Sequence, residues 1–256
     1  MNKVYVFIAL FFVLVHQEEA IGQEIDNQFW LNYSLKVKTP TKFSYGGDIG
    51  VRGVWSNSEW NQILIRPSAN YKFNKTFSVA LATAIFYTDN NYTSNITEFR
   101  IHQDFNVEWL QTKWFSMFSR LRIEQRFFTY QDNSISDEFR VRGRLLLGAQ
   151  SQDLKWFGPK RPIYFQLLYE GFQTFGSDNT EFLVNQGRFH IAFGHRIAKN
   201  WKYEFHFIEQ SSRLYETSGL KVGQEIFRLR LFHTINLKNS KPTNPENEED
   251  RVDDFN

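Results

Sequence analysis

Residues 120–128 (RLRIEQRFF) constrain the fold most strongly, because charged and apolar side chains alternate along them. The charged positions are Arg120, Arg122, Glu124 and Arg126, and Leu121, Ile123 and Phe127 stand between them. Successive side chains of a β-strand point to opposite faces, so the alternation predicts a strand with one polar and one apolar face. Ten other segments repeat the pattern, which favours a sheet closed into a barrel in a membrane.

The repeated alternation predicts an all-β fold, a single antiparallel transmembrane β-barrel. The eleven predicted strands cover 28–38, 42–55, 61–73, 77–88, 97–109, 115–129, 139–149, 162–174, 183–197, 201–212 and 225–237. Connections after strands three, five and nine are brief and those after four, six, eight and ten are long, as in barrels with short periplasmic turns and longer external loops. Single-chain bacterial barrels normally have an even strand number, so we predict about twelve strands (10–12). A twelfth strand would lie in 149–162 or 211–225, unless one of the eleven is not in the wall.

The composition excludes several classes of protein. The chain has no cysteine, which rules out disulfide bonds and thiolate zinc sites. Lys and Arg number 30 against 28 Asp and Glu, so the charge gives no reason to expect nucleic acid as a partner. The mean hydropathy of −0.48 argues against a bundle of transmembrane helices, whereas alternating strands average to such a value.

The two ends of the chain differ from the alternating middle. Met1-Asn2-Lys3 and the apolar run 4–15 read as a secretory signal, with small residues before position 23. We therefore expect a signal peptide over 1–22, the barrel over 23–237, and a disordered acidic tail over 238–256, where Pro, Asn, Glu and Asp prevail. The predicted location is the outer membrane.

A ladder of charged residues is expected to face the lumen. Its predicted members are Arg66, Glu98, Arg100, His102, Asp104, Arg120, Arg122, Glu124, Arg126, Arg140, Arg142, Arg144, Glu170, Arg188, Arg228 and Arg230. Two interpretations stay open: paired charges that fill a narrow barrel, or an arginine-rich path or site for anions, as in a porin-like channel. The partners expected are outer-membrane lipid and a small anionic solute, with no metal and no other cofactor.

Charge complementarity predicts the register of the hairpin formed by strands five and six. The predicted pairs are Glu98 with Arg126, Arg100 with Glu124, His102 with Arg122, and Asp104 with Arg120. Shifting the register by two residues in either direction places arginine opposite arginine, which is repulsive.

Other aromatic and polar residues bear on whether the barrel sits in a membrane. Tryptophans near strand ends fit the aromatic girdles of a membrane barrel; they are Trp30, Trp55, Trp60, Trp109, Trp114 and Trp201. Gln103 and Gln125 interrupt the apolar face, and the alternation does not explain Gln103. The competing fold is a soluble periplasmic β-sandwich or lipocalin-like binding protein, whose apolar face points inward. Alternation alone does not distinguish inside from outside.

Catalysis has weak support in the sequence. The inward histidines are His102, His190 and His206, and a short hairpin near 198–200 would make the last two diagonal neighbours, near Glu204 and Glu170. Such a group is a weak candidate for metal or acid–base chemistry. No Gly-x-Ser-x-Gly or His-Glu-x-x-His motif accompanies it. We expect no enzyme activity, with an outer-membrane lipid-modifying enzyme as the alternative.

Several short motifs, in order, resemble a known family. They are Gln28-Phe29-Trp30, Arg66-Pro67, Glu98-x-Arg100-x-x-Gln103, Arg120-x-Arg122-x-Glu124-Gln125-Arg126-Phe127 and Phe139-Arg140-x-Arg142. Together they resemble the outer-membrane barrel family catalogued as domain of unknown function 2490, over about 27–237. The resemblance implies a signal-bearing barrel in the outer membrane of a Gram-negative bacterium, of uncharacterised role. One departure from outer-membrane proteins is the acidic stretch after Leu237, for which we expect a periplasmic contact.

Overall fold

The computed structural model describes residues 26–55, 59–175, 186–212 and 221–237, and these form eleven β-strands. The strands are β1 Asp26–Lys38, β2 Phe43–Val54, β3 Trp60–Lys72, β4 Phe77–Asn90, β5 Ile96–Gln111, β6 Phe115–Tyr130, β7 Glu138–Ser151, β8 Ile163–Phe175, β9 Gln186–Ala198, β10 Trp201–Ser212 and β11 Lys221–Asn236. In the part of the chain so described, no helix is long and apolar enough to cross a membrane. The expected signal peptide and acidic tail lie outside the described residues.

The eleven strands close into one barrel in chain order, and each consecutive pair is antiparallel. The closing pair, β1 with β11, is parallel, with Phe29 opposite Phe227 and Tyr33 opposite Leu231. An odd number of strands that alternate in direction brings the first and last together in the same direction, so a parallel pair lets the sheet close. The preference for twelve strands is therefore not confirmed for the described residues. Of the two places suggested for a missing strand, 149–162 supplies the last residues of β7 and an isolated bridge between Leu154 and Ile163. The other place, 211–225, consists of residues of β10 and β11 and of residues 213–220, which are not described.

The strands carry nearly all of their charged side chains on the inner face, and their outward side chains are mainly apolar. Even-numbered residues face the interior, where Asn32, Asp104, Arg122 and Glu204 are all at most 1% exposed. Odd-numbered positions carry the exposed apolar side chains, for example Leu121, which is 46% exposed. Among strand residues whose side chains the structure describes, charged residues at odd-numbered positions are confined to strand ends at one end of the barrel; they are Asp89, Glu209 and Glu225. This arrangement is the reverse of a lipocalin-like barrel, whose interior is apolar.

Connections at the two rims differ in length. We call the rim where β1 begins the first rim and the rim where β1 ends the second rim. The second rim carries the short turns 73–76, 112–114 and 199–200, while the first carries the longer connections 91–95 and 131–137. The predicted brief connections after strands three, five and nine thus share one rim. The connection 152–162 after β7 is the exception, because it is long and lies at the second rim.

The predicted register of β5 and β6 is wrong by two residues. Arg100 lies opposite Arg126, His102 opposite Glu124, and Asp104 opposite Arg122. The apparent repulsion between Arg100 and Arg126 is removed by Glu98, whose carboxylate accepts hydrogen bonds from both, at 2.6 and 2.5 Å. Long side chains inside a barrel reach diagonal neighbours, so counting only directly opposite charges misjudged the register.

Trp30 is not part of an aromatic girdle, contrary to the prediction. Its even-numbered position on β1 turns the indole inward, where it is 4% exposed and its Nε1 donates to Gln28 Oε1 at 3.0 Å. The interior also accommodates Tyr164, whose ring lies where a Cβ on Gly194 would stand, 2.1 Å from that position. Large inward rings thus fill part of the lumen, and neighbouring glycines leave room for them.

The Arg66-Pro67 motif stands at an irregular place in the wall. Pro67 has no N–H, and neither Arg66 nor Pro67 has a partner in the described ladder between β3 and β4. On the other side, Pro67 lies opposite Gly47, whose φ of 145° is a conformation that favours glycine. A Cβ at Gly47 would stand 2.1 Å from the carbonyl oxygen of Arg66, so glycine is required for the two strands to approach here.

Candidate functional site in the charged interior

The structure places all sixteen predicted ladder residues on the inner face of the barrel. One of them, Arg140, lies near the first rim, where its Nε donates to Glu138 at 2.5 Å and 41% of its side chain is exposed. The strand alternation produces this arrangement, because each strand turns every second side chain toward the same axis. The interior is therefore the largest concentration of charge in the described chain and the candidate site.

Two aspartates form paired hydrogen bonds with a single arginine each. Arg66 donates from Nε and Nη2 to the two oxygens of Asp48, both at 2.7 Å. Arg122 binds Asp104 in the same way, both at 2.6 Å, and that pair is at most 2% exposed. Planar guanidinium and carboxylate groups match in this geometry, which fixes both side chains in place.

Glutamates link the arginines of neighbouring strands into a continuous network. Glu124 on β6 accepts from Arg142 Nε at 2.7 Å and from Arg144 Nη1 at 2.8 Å. Arg144 also donates to Glu170 on β8 at 2.8 Å, and Glu170 accepts from Arg120 at 3.2 Å. Because the connected side chains come from β6, β7 and β8, the network holds one side of the barrel in a fixed arrangement.

Glu204 on β10 is the centre of a second buried group, with 0% of its side chain exposed. It accepts from the hydroxyl of Tyr164 at 2.7 Å and contacts His206 Nε2 at 3.0 Å. Lys202 and Arg230 lie at 3.5 and 3.6 Å from its two oxygens. Both carboxylate oxygens of Glu204 are thus occupied by neighbouring side chains.

The histidines predicted as a weak acid–base group do lie together. His190 on β9 and His206 on β10 are diagonal neighbours, with ring centroids 6.0 Å apart. His102 is on β5, where it lies opposite Glu124. Within the described ranges, no group of three or more His, Asp or Glu side chains is arranged to hold a metal ion.

Several interior residues were absent from the predicted ladder. Asp48, Arg52 and Glu204 have even numbers, as the ladder residues do. The alternation of polar and apolar residues could therefore have assigned them to the inner face as well. Trp30 and Tyr164 carried no such signal, since an aromatic residue in an alternating strand is normally assigned to the apolar face.

The charged side chains leave a cavity of about 100 Å³ in the middle of the barrel. Ten arginines line it, together with His190, His206 and a single carboxylate, that of Glu170. A second, smaller cavity of about 30 Å³ lies near the second rim, next to Ser34 and Arg230. The larger cavity therefore has more guanidinium donors than carboxylate acceptors in its lining.

Comparison with known proteins identifies the family of the chain. No curated protein matches the chain. The model of a family described as a protein of unknown function, DUF2490, matches residues 27–220, which include all of β1 except Asp26 and the whole of β2 to β10. The motifs named above from Gln28 to Arg142 all lie inside this match. The chain therefore belongs to the DUF2490 family of proteins of unknown function.

Proposed function

We propose that this protein is a β-barrel of the outer membrane of a Gram-negative bacterium, and that it acts as a structural barrel whose interior is filled by side chains. The observation that carries the proposal is the distribution of charge between the two faces of the wall. Outward positions are mainly apolar and carry charge only near strand ends, whereas inward positions hold paired charges. A sheet that faces hydrocarbon needs this distribution, because a charged side chain at the centre of a bilayer is costly.

The exposed aromatic residues support the same location. Trp55 and Trp109 are 70% and 67% exposed and lie near opposite rims, and Trp201 stacks on His233 with ring centroids 4.1 Å apart. Rings with a polar edge favour the boundary between hydrocarbon and water. In the proposed orientation, the second rim, with its short turns, faces the periplasm.

The filled interior supports a structural role over an open pore. Arg122, Tyr164 and Phe172 are each at most 1% exposed although they stand on the lumen side. We assign no reaction to Tyr164, Glu204 and His206, because all three side chains are enclosed inside the barrel and bonded to one another. Any passage of solute through the closed form is expected to be narrow and to favour anions.

The location is tested with an arginine on the outer wall. Leu121 stands midway along β6 and Thr129 near its end on the same face. For the full chain refolded into lipid vesicles, we expect Leu121→Arg to lower the free energy of unfolding by about 2–4 kcal/mol, and Thr129→Arg by about 0–1 kcal/mol. Urea titration measures both. If Leu121→Arg is as harmless as Thr129→Arg, as on a water-exposed wall, the outer face does not contact lipid and the proposal fails.

A further inference from the structure

The charges inside the barrel do not balance. We define the interior cluster as Arg52, Arg66, Arg100, Arg120, Arg122, Arg126, Arg142, Arg144, Arg188, Arg228 and Arg230, with Asp48, Glu98, Asp104, Glu124, Glu170 and Glu204. Eleven arginines thus accompany six carboxylates. A charge removed from water is costly unless a partner of opposite sign compensates it. The cluster as a whole therefore favours the entry of an anion.

Two arginines concentrate the unbalanced charge at one place. Among the described residues, neither Arg52 nor Arg228 has a carboxylate within ion-pair distance. Arg52 donates from Nη1 to the amide oxygen of Gln62 at 3.3 Å, and Arg228 donates from Nε to Asn32 at 3.0 Å. Both are paired only with neutral oxygens, so no direct ion pair compensates their positive charge.

Buried donors near these arginines also lack acceptors. Arg52 Nε is buried and has no hydrogen-bond partner in the described structure. Both ring nitrogens of His190 also lack a partner there, and one of them carries an N–H donor in the neutral ring; this residue is 5% exposed and lines the 100 Å³ cavity with Arg52. Buried polar groups in native proteins are nearly always satisfied, so unpaired donors at one cavity indicate a missing acceptor.

The indole of Trp30 brings the relevant guanidinium groups together. The guanidinium carbons of Arg52, Arg188 and Arg228 lie 4.1, 5.1 and 5.9 Å from the centre of its ring. Trp30 on β1 stands directly between Arg52 on β2 and Arg228 on β11. The parallel closing pair of the barrel thus positions two arginines from distant parts of the chain around one aromatic ring.

We propose that the cavity binds a phosphate-like oxyanion, with Arg52, Arg228 and His190 as its principal donors and Arg188 as a further cation. An oxyanion supplies several acceptor oxygens and negative charge together, and guanidinium groups are the donors best matched to it. A volume of about 100 Å³ exceeds the ~10–15 Å³ that a single water requires and leaves room for such a group. The oxyanion is either a free ion or the phosphate of a lipid headgroup that enters the lumen.

The first experiment measures stabilisation by inorganic phosphate. The full chain is refolded in a phosphate-free, non-ionic detergent, and its thermal unfolding midpoint is followed as phosphate replaces chloride at constant ionic strength. We expect phosphate to raise the midpoint in a saturable way, because a ligand that binds the folded state stabilises it. A parallel titration uses dihexanoyl phosphatidic acid, a short-chain lipid with the same phosphate group.

Three variants separate binding from folding. Arg52→Gln and Arg228→Gln should each weaken the affinity by about tenfold or more through loss of a charged hydrogen bond, while their unfolding midpoint without phosphate is unchanged or higher. Arg126→Gln is the matched control: Arg126 pairs with Glu98 and does not line the cavity. Its removal should lower the midpoint and leave the affinity for phosphate unchanged.

The outcomes identify the source of the oxyanion or overturn the site. Binding of inorganic phosphate that depends on Arg52 and Arg228 supports a free ion, and binding of the lipid alone with the same dependence supports a headgroup. Equal midpoints in phosphate and chloride with no response to the lipid, or affinities that both variants leave unchanged, overturn the proposal. Binding of phosphate at this cavity does not require the outer wall to face lipid. The two proposals can therefore fail separately, because the Leu121→Arg experiment is sensitive to the outer wall alone.

Discussion

At the scale of single residues, the structure explains the two glutamines that interrupt the outer apolar face. Gln103 and Gln125 are on adjacent strands, each opposite an isoleucine of the other strand and so diagonal to one another. Each amide nitrogen donates to the other's amide oxygen, both at 3.3 Å. A reciprocal amide pair leaves few polar groups unsatisfied on a wall that we propose faces lipid. This pairing depends on register and was not visible in the sequence.

The amide pair leads to a prediction about non-additivity. Gln103→Leu leaves the amide of Gln125 without its partner and should lower the free energy of unfolding by about 1–3 kcal/mol in vesicles. The double change Gln103→Leu with Gln125→Leu should recover most of that loss, because both polar groups are then replaced. A double-mutant cycle from urea titrations measures the coupling. Additive losses would show that the two amides do not act as a pair.

At the scale of the strands, alternation located the elements and did not determine their pairing. The predicted strand 115–129 is observed as Phe115–Tyr130, and most of the other ends agree within a few residues. Polar and apolar residues mark a strand locally, because its two faces meet different surroundings. The register of β5 on β6 depends on how long side chains bridge diagonally, as Glu98 does between Arg100 and Arg126, and that is a tertiary property.

Cysteine pairs distinguish the observed register from the one expected from charge. The chain has no native cysteine, so introduced pairs report without interference. Phe105→Cys with Leu121→Cys should form a disulfide, since these residues lie directly opposite one another. Phe105→Cys with Ser119→Cys, opposite in the rejected register, should cross-link poorly. Mobility on non-reducing gels before and after mild oxidation, checked by mass spectrometry of peptides, decides between the two registers. Preferential cross-linking of the second pair would restore the charge-based register.

At the scale of the whole molecule, closure and filling of the barrel are linked. The parallel pairing of β1 with β11 brings Trp30 and Arg228 to the same height, and Trp30 then contacts Ile208 and Ile226 inside the lumen. On the other side, the ring of Phe172 lies under the guanidinium groups of Arg142, Arg144 and Arg188, between 4.7 and 5.3 Å from its centre. Aromatic rings and arginines from opposite walls together occupy the space that an open channel would need.

Conductance measurements in planar bilayers test this filling. We expect the refolded protein to show no steady conductance steps at neutral pH and moderate salt. The double variant Phe172→Ala with Arg144→Ala should show anion-selective steps, because it removes a central ring and one bridging arginine while most interior arginines remain.

The matched control for this experiment is Phe165→Ala, which removes a ring of the same size from the outer face of β8, where Phe165 is 39% exposed. It should remain silent, and heat-modifiable migration on gels should confirm that both variants are folded. Steady steps from the unmodified protein would instead establish a narrow channel.

The sequence by itself determined the strand positions, the face of each strand that carries charge, and the family to which the chain belongs. These follow from alternation with a period of two and from short local motifs, which need no knowledge of neighbours. The tertiary structure alone decided the number of strands that close the barrel, the register of β5 on β6, the inward position of Trp30, and the cavity near Arg52 and Arg228. Each of these depends on contacts between residues far apart in the chain, such as the 196 positions that separate Asn32 from Arg228. Side chains that meet across a closed lumen are selected by the curvature and register of the whole sheet, and no local pattern records that choice.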